Sequence, residues 1–312
     1  MKPALCLTPD LAFFRPAVRA AASFLAQDDA DAFDVFIVCE AEDVAPGFEE
    51  LDPAMRERIR LLIVDFSPFE DGLAGRGRFS RAVFRRLFLD RVLPDAYTRI
   101  VTMDSDMLVA RAGLSRLASV DLAGKPIAAA YDMIYLFDFN GGALTQQFQA
   151  SRRGLGLDLA TPYFNAGLMV IDRAAWRAAE LGERAAHALR SNPARYPFME
   201  QDALNALLKG GFAPLSPRCN FMGEFLLLDL ETTIAPMVLH FVNSPKPWNY
   251  DAWRGEARFA ELYRRWFAAS PWPDWSFPTM AGRVGKPRKT ATRRAFAERL
   301  TAFLATQRFI DA

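Results

Sequence analysis

Two carboxylates one residue apart, Asp104 and Asp106, lie in the stretch R-I-V-T-M-D-S-D-M-L-V-A at residues 99 to 110. The apolar run before them reads as a buried strand, and unpaired charge at the end of such a strand is costly unless a cation or a partner meets it. Oxygen ligands placed this way suit a hard divalent ion such as Mn²⁺ or Mg²⁺, with positions left open for phosphate oxygens. A second stretch, L-H-F-V-N-S-P-K-P-W at residues 239 to 248, carries one of the chain's two histidines, His240, with Lys246 six residues on. A neutral imidazole can complete a carboxylate site for Mn²⁺, and a lysine adds a compact positive charge within reach of the ion's phosphate ligands. Together these residues describe a diphosphate clamp. Each half also has a plainer explanation. A D-x-D pattern turns up roughly once by chance in a chain of this length, and His240 could equally be a hydrogen-bonded core histidine. The other histidine, His187 in A-A-H-A-L-R on an expected surface helix, is assigned no ligand role. A second D-x-D, Asp29-Ala30-Asp31, falls between a helix and a strand, where Asp is an ordinary loop residue, and is assigned to solvent.

The elements that must position these residues follow from periodicity. Short apolar runs rich in β-branched residues alternate with longer segments of helical period, which predicts an α/β domain with a mostly parallel sheet. The predicted strands are Ala4 to Thr8, Asp34 to Cys39, Arg60 to Asp65, Arg99 to Met103, Ile127 to Tyr131, Gly167 to Ile171 and Val238 to Val242. The predicted helices are Pro16 to Ala26, Ser80 to Val92, Arg173 to Leu189 and Gln201 to Lys209, with stops at Leu93-Pro94 and Gly210-Gly211. Ligands of a doubly wound sheet collect at the carboxyl ends of its strands, where Asp104 and Asp106 stand.

Composition narrows the class further. With 312 residues, 51% of them hydrophobic, the chain can bury a large core plus an extension. Its 38 basic and 37 acidic residues nearly cancel, which gives no electrostatic case for nucleic acid. The widely spaced Cys6, Cys39 and Cys219 fit three buried thiols in a reducing compartment rather than a disulfide frame. No run is long enough to span a bilayer and the start lacks a secretory pattern, so a cytoplasmic location is expected. After Trp248 the character changes, and a division into residues 1–250 and an appended helical piece, 251–312, is expected. There Trp253, Trp266, Trp272 and Trp275 precede Arg283, Lys286, Arg288, Lys289, Arg293 and Arg294, and Phe296, Leu300, Phe303 and Leu304 recur at helical spacing. Such a piece either packs on the main domain or meets an anionic membrane face as a peripheral contact.

The order of S-R-A-V-F-R-R-L (80 to 87), V-T-M-D-S-D-M-L (101 to 108), Y-F-N-A-G-L-M-V-I-D (163 to 172), E-Q-D-A-L-N (200 to 205) and H-F-V-N-S-P-K-P-W (240 to 248) resembles glycosyltransferase family 8. That family includes bacterial lipopolysaccharide galactosyl- and glucosyltransferases and glycogenin. The resemblance covers residues 1 to about 250. It implies a Rossmann-like nucleotide-diphospho-sugar transferase (GT-A) fold and a metal-dependent, retaining transfer of galactose or glucose from a UDP-sugar donor to a saccharide or glycolipid acceptor. By the same resemblance, Asp104, Asp106 and His240 would ligate Mn²⁺, with Mg²⁺ as the substitute, and Lys246 would contact the diphosphate. Thr8 and Asp10 would lie near the uracil or ribose, and Ser105 between the two acids would also face the donor. Arg86 would help hold the donor sugar, whose pocket Asp132, Asn165 and Ala166 would line, and Gln201 would stand near the anomeric centre.

Two positions depart from the family pattern. Asn243 replaces the usual glycine of H-x-x-G-x-x-K-P-W, and Asn is among the residues that best tolerate a positive φ. Glu200 replaces the usual Asp before Gln201. Retention of configuration needs either a nucleophile on the β face, for which Glu200 or Asp202 are the available carboxylates, or attack from the face that UDP leaves. Two other readings stay open on the residues alone: a nucleotide-sugar or glycan binding module on the same fold, and a phosphatase with an aspartyl nucleophile in the D-x-D.

Overall fold

The run Arg99–Met103 forms a strand buried over four of its five positions, and it is the middle of the molecule. The computed structural model describes residues 2–77, 79–242, 244–249, 257–275 and 290–311. The strands among them are β1 (Ala4–Leu7), β2 (Asp34–Cys39), β3 (Ile59–Ile63), β4 (Arg99–Met103), β5 (Met107–Val109), β6 (Ile127–Tyr131), β7 (Phe164–Asp172), β8 (Ala213–Leu215), β9 (Phe221–Met222) and β10 (Val238–His240). Seven of them form one sheet in the order β3-β2-β1-β4-β7-β6-β8. The pairs β2/β3, β1/β2, β1/β4 and β6/β8 are parallel, while β7 runs antiparallel to both β4 and β6. A mostly parallel sheet with near-continuous apolar strands must be covered on both faces. The helices Leu11–Leu25, Leu181–Ser191 and Met199–Leu208 contribute to that cover.

The last predicted strand is placed differently from the expectation. Val238–His240 does not join the main sheet; it forms a separate three-stranded sheet in the order β5-β10-β9. Its three residues are too short a run for length or period to say which partner it takes. This small sheet matters for chemistry, because antiparallel pairing with β5 sets His240 opposite Met107, directly after the acids.

Other differences are local. The first helix begins at Leu11, before Pro16, because the Asp10 carboxylate accepts the Phe13 N–H at 2.9 Å and caps it there. The predicted helix Arg173 to Leu189 is two helices, Arg173–Ala178 and Leu181–Ser191, divided at Glu180, whose φ is 50°. The segment Arg81–Phe88 is a 3-10 helix that continues as α-helix over Leu89–Val92. Gly182 lets this segment approach closely, since a Cβ there would stand 2.2 Å from the Leu87 carbonyl oxygen. Asp29 is not a solvent residue: its Oδ2 accepts the Gly113 and Ser115 N–H groups at 2.8 and 2.9 Å and so ties a loop after β5 to the first helix's end. All three cysteines are free and buried, and burial pushes the Cys39 thiol up to about 12.

The described parts of the C-terminal piece pack onto the body. In the helix Ala257–Ala268, Phe259, Tyr263 and Phe267 are buried, with Phe259 and Tyr263 against Phe241 and Tyr263 also against Trp248. The Trp272 indole N–H donates to the Pro46 carbonyl at 2.6 Å. In the helix Ala291–Thr306, Phe296 and Leu300 are buried and Phe303 stacks on Phe139. Trp253, Arg283, Lys286, Arg288 and Lys289 lie outside the described residues. No described helix is long and apolar enough to cross a membrane.

Candidate active site

The chain leaves β4 in a tight turn, in which the Met107 N–H donates to the Asp104 carbonyl at 3.2 Å, so Asp104, Ser105 and Asp106 occupy a bend between two buried strands. The Asp104 N–H is held by the Gly167 carbonyl of β7 at 2.8 Å, and the Asp106 carbonyl accepts the Phe241 N–H at 3.0 Å. Both acids are therefore fixed by backbone from two different sheets before any side chain is considered.

Two cations take the outer carboxylate oxygens. Lys246 bonds Asp106 Oδ2 and the Phe241 carbonyl, the latter at 2.8 Å, and Arg86 bonds Asp104 Oδ1. The inner oxygens face the His240 ring: Nε2 is 3.2 Å from Asp106 Oδ1 and 3.6 Å from Asp104 Oδ2. Burial opposes ionisation of Asp106, but the Lys246 ammonium and the His240 ring together outweigh it and hold the carboxyl well below the usual carboxylate range. The buried Asp106 Oδ1 has no hydrogen-bond donor. Ligand atoms of Asp104, Asp106 and His240 all lie within 4.8 Å of one another. A buried acceptor without a donor, converging with a second carboxylate and an imidazole, is what a divalent cation resolves, and a set of two carboxylates and an imidazole suits Mn²⁺ better than the all-oxygen preference of Mg²⁺. The donor set thus fits such an ion.

Gly167 makes the approach of His240 possible. A Cβ on it would stand 2.5 Å from the ring's Cε1 and 2.8 Å from both Asn165 Oδ1 and Met107 Cε. Gly167→Ala should displace the imidazole and weaken divalent-ion affinity by about tenfold or more, measured by calorimetric titration with Mn²⁺; unchanged affinity would show that the ring does not contribute.

The clamp opens on a cavity of about 640 Å³ whose wall includes Thr8, Asp10, Arg86, Asp104, Ser105, Asp106, Asp132, Asn165, Ala166, Glu200, Gln201, His240 and Lys246. The structure thus brings together residues from seven separated stretches of sequence. Asp202 is not on this wall. It is fully buried behind Gln201, with Oδ1 accepting the Tyr163 hydroxyl at 2.6 Å and Oδ2 the Phe198 N–H at 2.6 Å, so both of its oxygens are occupied. Burial pushes its carboxyl up to about 6. Asn243 lies outside the described residues.

On the far side of the clamp, Arg86 Nη1 donates to the Ala166 carbonyl at 2.5 Å and Nε stands 3.5 Å from Glu200 Oε1. Burial pushes the Glu200 carboxyl up to about 7, only partly offset by Arg86. Gln201 is held at both ends of its amide: Oε1 accepts the Ala166 N–H at 2.9 Å, and Nε2 donates to Tyr163 Oη at 3.1 Å and Asp132 Oδ2 at 3.3 Å. Asp132 Oδ1 accepts the Ile134 N–H at 2.6 Å, and burial raises its carboxyl above the ordinary range.

Several residues of the site carry no signal in the sequence. Asn220 and Tyr163 act only through side chains brought up by the fold. Arg85, adjacent to Arg86, faces away from the cavity, where it pairs with Glu40 and Asp43 at 2.6 Å and donates to the Pro9 carbonyl at 2.7 Å, anchoring the loop that holds Thr8 and Asp10. The pair R-R gives no clue which member faces the site.

The family model for glycosyl transferase family 8 matches residues 15–252. General stress protein A of Bacillus subtilis (strain 168) is 26% identical over 226 residues, 67% of this chain and 74% of that protein. Lipopolysaccharide 1,2-glucosyltransferase of Escherichia coli (strain K12) is 27% identical over 205 residues, 63% of this chain and 56% of that protein, so the chain spans little more than half of that relative. Among solved structures, an active-site glutamine-to-glutamate mutant of LgtC superposes with a TM-score of 0.67 at 21% identity, covering 83% of this chain and 95% of that one. Galactosyltransferase LgtC in complex with donor and acceptor sugar analogues gives a TM-score of 0.65 at 22% identity, covering 83% and 94%. These likenesses show the fold, an α/β GT-A architecture with a mostly parallel central sheet. With that fold and a family match over most of its length, the chain belongs to glycosyl transferase family 8 and is a glycosyltransferase.

Proposed function

We propose that this glycosyltransferase moves a hexose, galactose or glucose, from a UDP-sugar to a saccharide or glycolipid acceptor of the lipopolysaccharide kind, with retention at the anomeric carbon and with a requirement for Mn²⁺. The observation that carries this reading is the convergence of Asp104 Oδ2, Asp106 Oδ1 and His240 Nε2 on one point of the cavity wall, flanked by Lys246 and Arg86. When bound there, a divalent ion supplies Lewis-acid stabilisation of the charge that grows on a departing diphosphate. Lys246, on the cavity wall beside the same acids, adds a fixed positive charge to that oxygen cluster. Arg86 stands between Asp104 and Glu200 and pairs with both, which offsets part of the like charge on the sugar side of the cavity.

Of the two carboxylates available for a double displacement, Glu200 is the better supported: it lines the cavity, while both oxygens of Asp202 are occupied. Gln201 has its amide oxygen held by the Ala166 N–H, so its part is to shape the pocket floor rather than to attack. Thr8 and Asp10 stand on the wall at the N-terminal end of the first helix, in keeping with the nucleoside end of the donor. A peripheral membrane contact would rest on the basic run outside the described residues, since the apolar residues of the described C-terminal helices are largely spent in packing.

Incubation with UDP-galactose or UDP-glucose and Mn²⁺ should release UDP slowly, and EDTA should abolish the release until Mn²⁺ is restored in excess. Failure of binding and hydrolysis across the common UDP-sugars would overturn the proposal. Metal-dependent UDP binding with no turnover on any acceptor would favour a binding module instead.

A further inference from the structure

Behind the candidate metal ligands runs a chain of buried amides that forces the protonation of His240. It begins at the Gly167 N–H, which can only donate, and which points at Asn165 at 2.9 Å. The atom it meets must therefore be the amide oxygen of Asn165. That oxygen also receives Asn220 at 2.8 Å, so the Asn220 atom there must be its NH₂ group. Asn220 then presents its oxygen to His240 Nδ1, again at 2.8 Å, and an oxygen facing a ring nitrogen requires the proton on that nitrogen. At the other end Asn165 Nδ2 donates to Asp132 Oδ2 at 2.7 Å, which closes the sequence in the same sense. Asn220, Asn165 and His240 are 0%, 4% and 3% exposed, so solvent cannot stand in for any link.

We infer that Asn220 is a positioning residue that holds His240 as the Nδ1–H tautomer and so keeps the Nε2 lone pair free for the cation. The inference rests on the metal reading above. Its physical need is clear from what competes with it. Nε2 lies 3.2 Å from Asp106 Oδ1 and 3.6 Å from Asp104 Oδ2, and without an acceptor at Nδ1 the ring's proton is drawn to Nε2, toward the two carboxylates. A proton there occupies the ligand atom, and the ion would have to displace it. Asn220 prevents this by giving the proton a better-made bond on the opposite side of the ring. The same chain ends on Asp132, which Gln201 also touches, so the ligand's orientation and the expected sugar pocket share one hydrogen-bonded frame.

The test is the ¹⁵N spectrum of the imidazole nitrogens in metal-free full-length protein at neutral pH. His187→Gln, on the exposed face of its helix, removes the only other histidine signal. His240 should show a protonated Nδ1 and an unprotonated Nε2. Asn220→Leu should transfer the proton to Nε2 and weaken Mn²⁺ affinity, read by calorimetry, roughly 10- to 100-fold. Asn220→Asp gives up the NH₂ that Asn165 Oδ1 accepts but keeps an acceptor facing Nδ1, and should keep Nδ1 protonated; a ring protonated on Nε2 only in that variant would overturn the inference. A wild-type ring protonated on Nε2 only, or an Asn220→Leu protein with the wild-type spectrum and affinity within twofold, would overturn the inference. The wild-type spectrum decides the tautomer even where Asn220→Leu does not fold. If Mn²⁺ fails to bind the wild type while the tautomer still follows Asn220, the metal reading falls and the positioning role stands.

Discussion

Asp106→Asn should abolish metal-dependent UDP binding and lower turnover by roughly 10³-fold or more, the scale expected when charge stabilisation at a leaving group is removed. Asparagine keeps the shape of the side chain and so preserves the turn between β4 and β5, whose backbone bonds from the Met107 N–H to the Asp104 carbonyl and from the Phe241 N–H to the Asp106 carbonyl do not involve the carboxylate. What it removes is the inner oxygen Oδ1, which faces His240 without a donor of its own, and the outer oxygen's charge, which pairs with Lys246. Lys246 retains the Phe241 carbonyl at 2.8 Å, and its side chain is 14% exposed, so the loss of its carboxylate is tolerable. Circular dichroism should therefore remain that of the wild type. Retained Mn²⁺-dependent UDP affinity in the folded variant would remove Asp106 from the clamp.

Glu200→Gln should move activity and stability in opposite directions. Burial pushes the Glu200 carboxyl up to about 7 from its ordinary 4.5. Between those values the folded chain holds a proton that the unfolded chain has released, so stability falls as pH rises from about 4.5 to about 7 and stays lower above it. The ionised group then costs about 3 to 4 kcal/mol at pH 8, at about 1.4 kcal/mol for each pH unit of displacement. Glutamine carries no such charge, and the variant's thermal midpoint at pH 8, measured in EDTA, should rise above that of the wild type. Below pH 5 the two proteins should melt alike. Its turnover should fall by roughly 10²-fold or more, since the carboxylate that lines the cavity beside Arg86 is gone. The wild-type rate should rise with pH through about 7 for the same reason. A variant with wild-type turnover and a flat difference in midpoint across pH would contradict both parts.

The sheet's central strands were legible because each is a continuous apolar run bounded by charge or a turn: Asp34–Cys39, Arg99–Met103 and Ile127–Tyr131 have the bounds that their residues suggest. Strand β7 begins three residues before its expected start, since F-N-A carries two site residues within a buried strand and breaks the apolar pattern. The break at Glu180 was not legible, because a non-glycine residue in the left-handed region leaves no compositional mark. The four residues of the proposed clamp could be named from the two stretches that hold them, whereas the path by which the structure brings them together could not. His240 reaches the acids through a short strand in a separate sheet, and register between runs of three residues is set by the tertiary frame rather than by period. Asn220 was beyond reach for a related reason. Its meaning lies in a donor-acceptor sequence that links the neighbours Asn165 and Gly167 to Asn220 and His240, which lie far along the chain and are joined to them only by folding.

The measurement that bears most directly on the account is the position of manganese in crystals grown with Mn²⁺ and UDP, located by anomalous scattering at the metal's absorption edge. The account predicts a single strong peak bonded to Asp104, Asp106 and the Nε2 of His240, with oxygens of both UDP phosphates completing the shell and Lys246 beside them. UDP bound in the cavity without a peak at those three residues, or a peak held by other ligands, would contradict it.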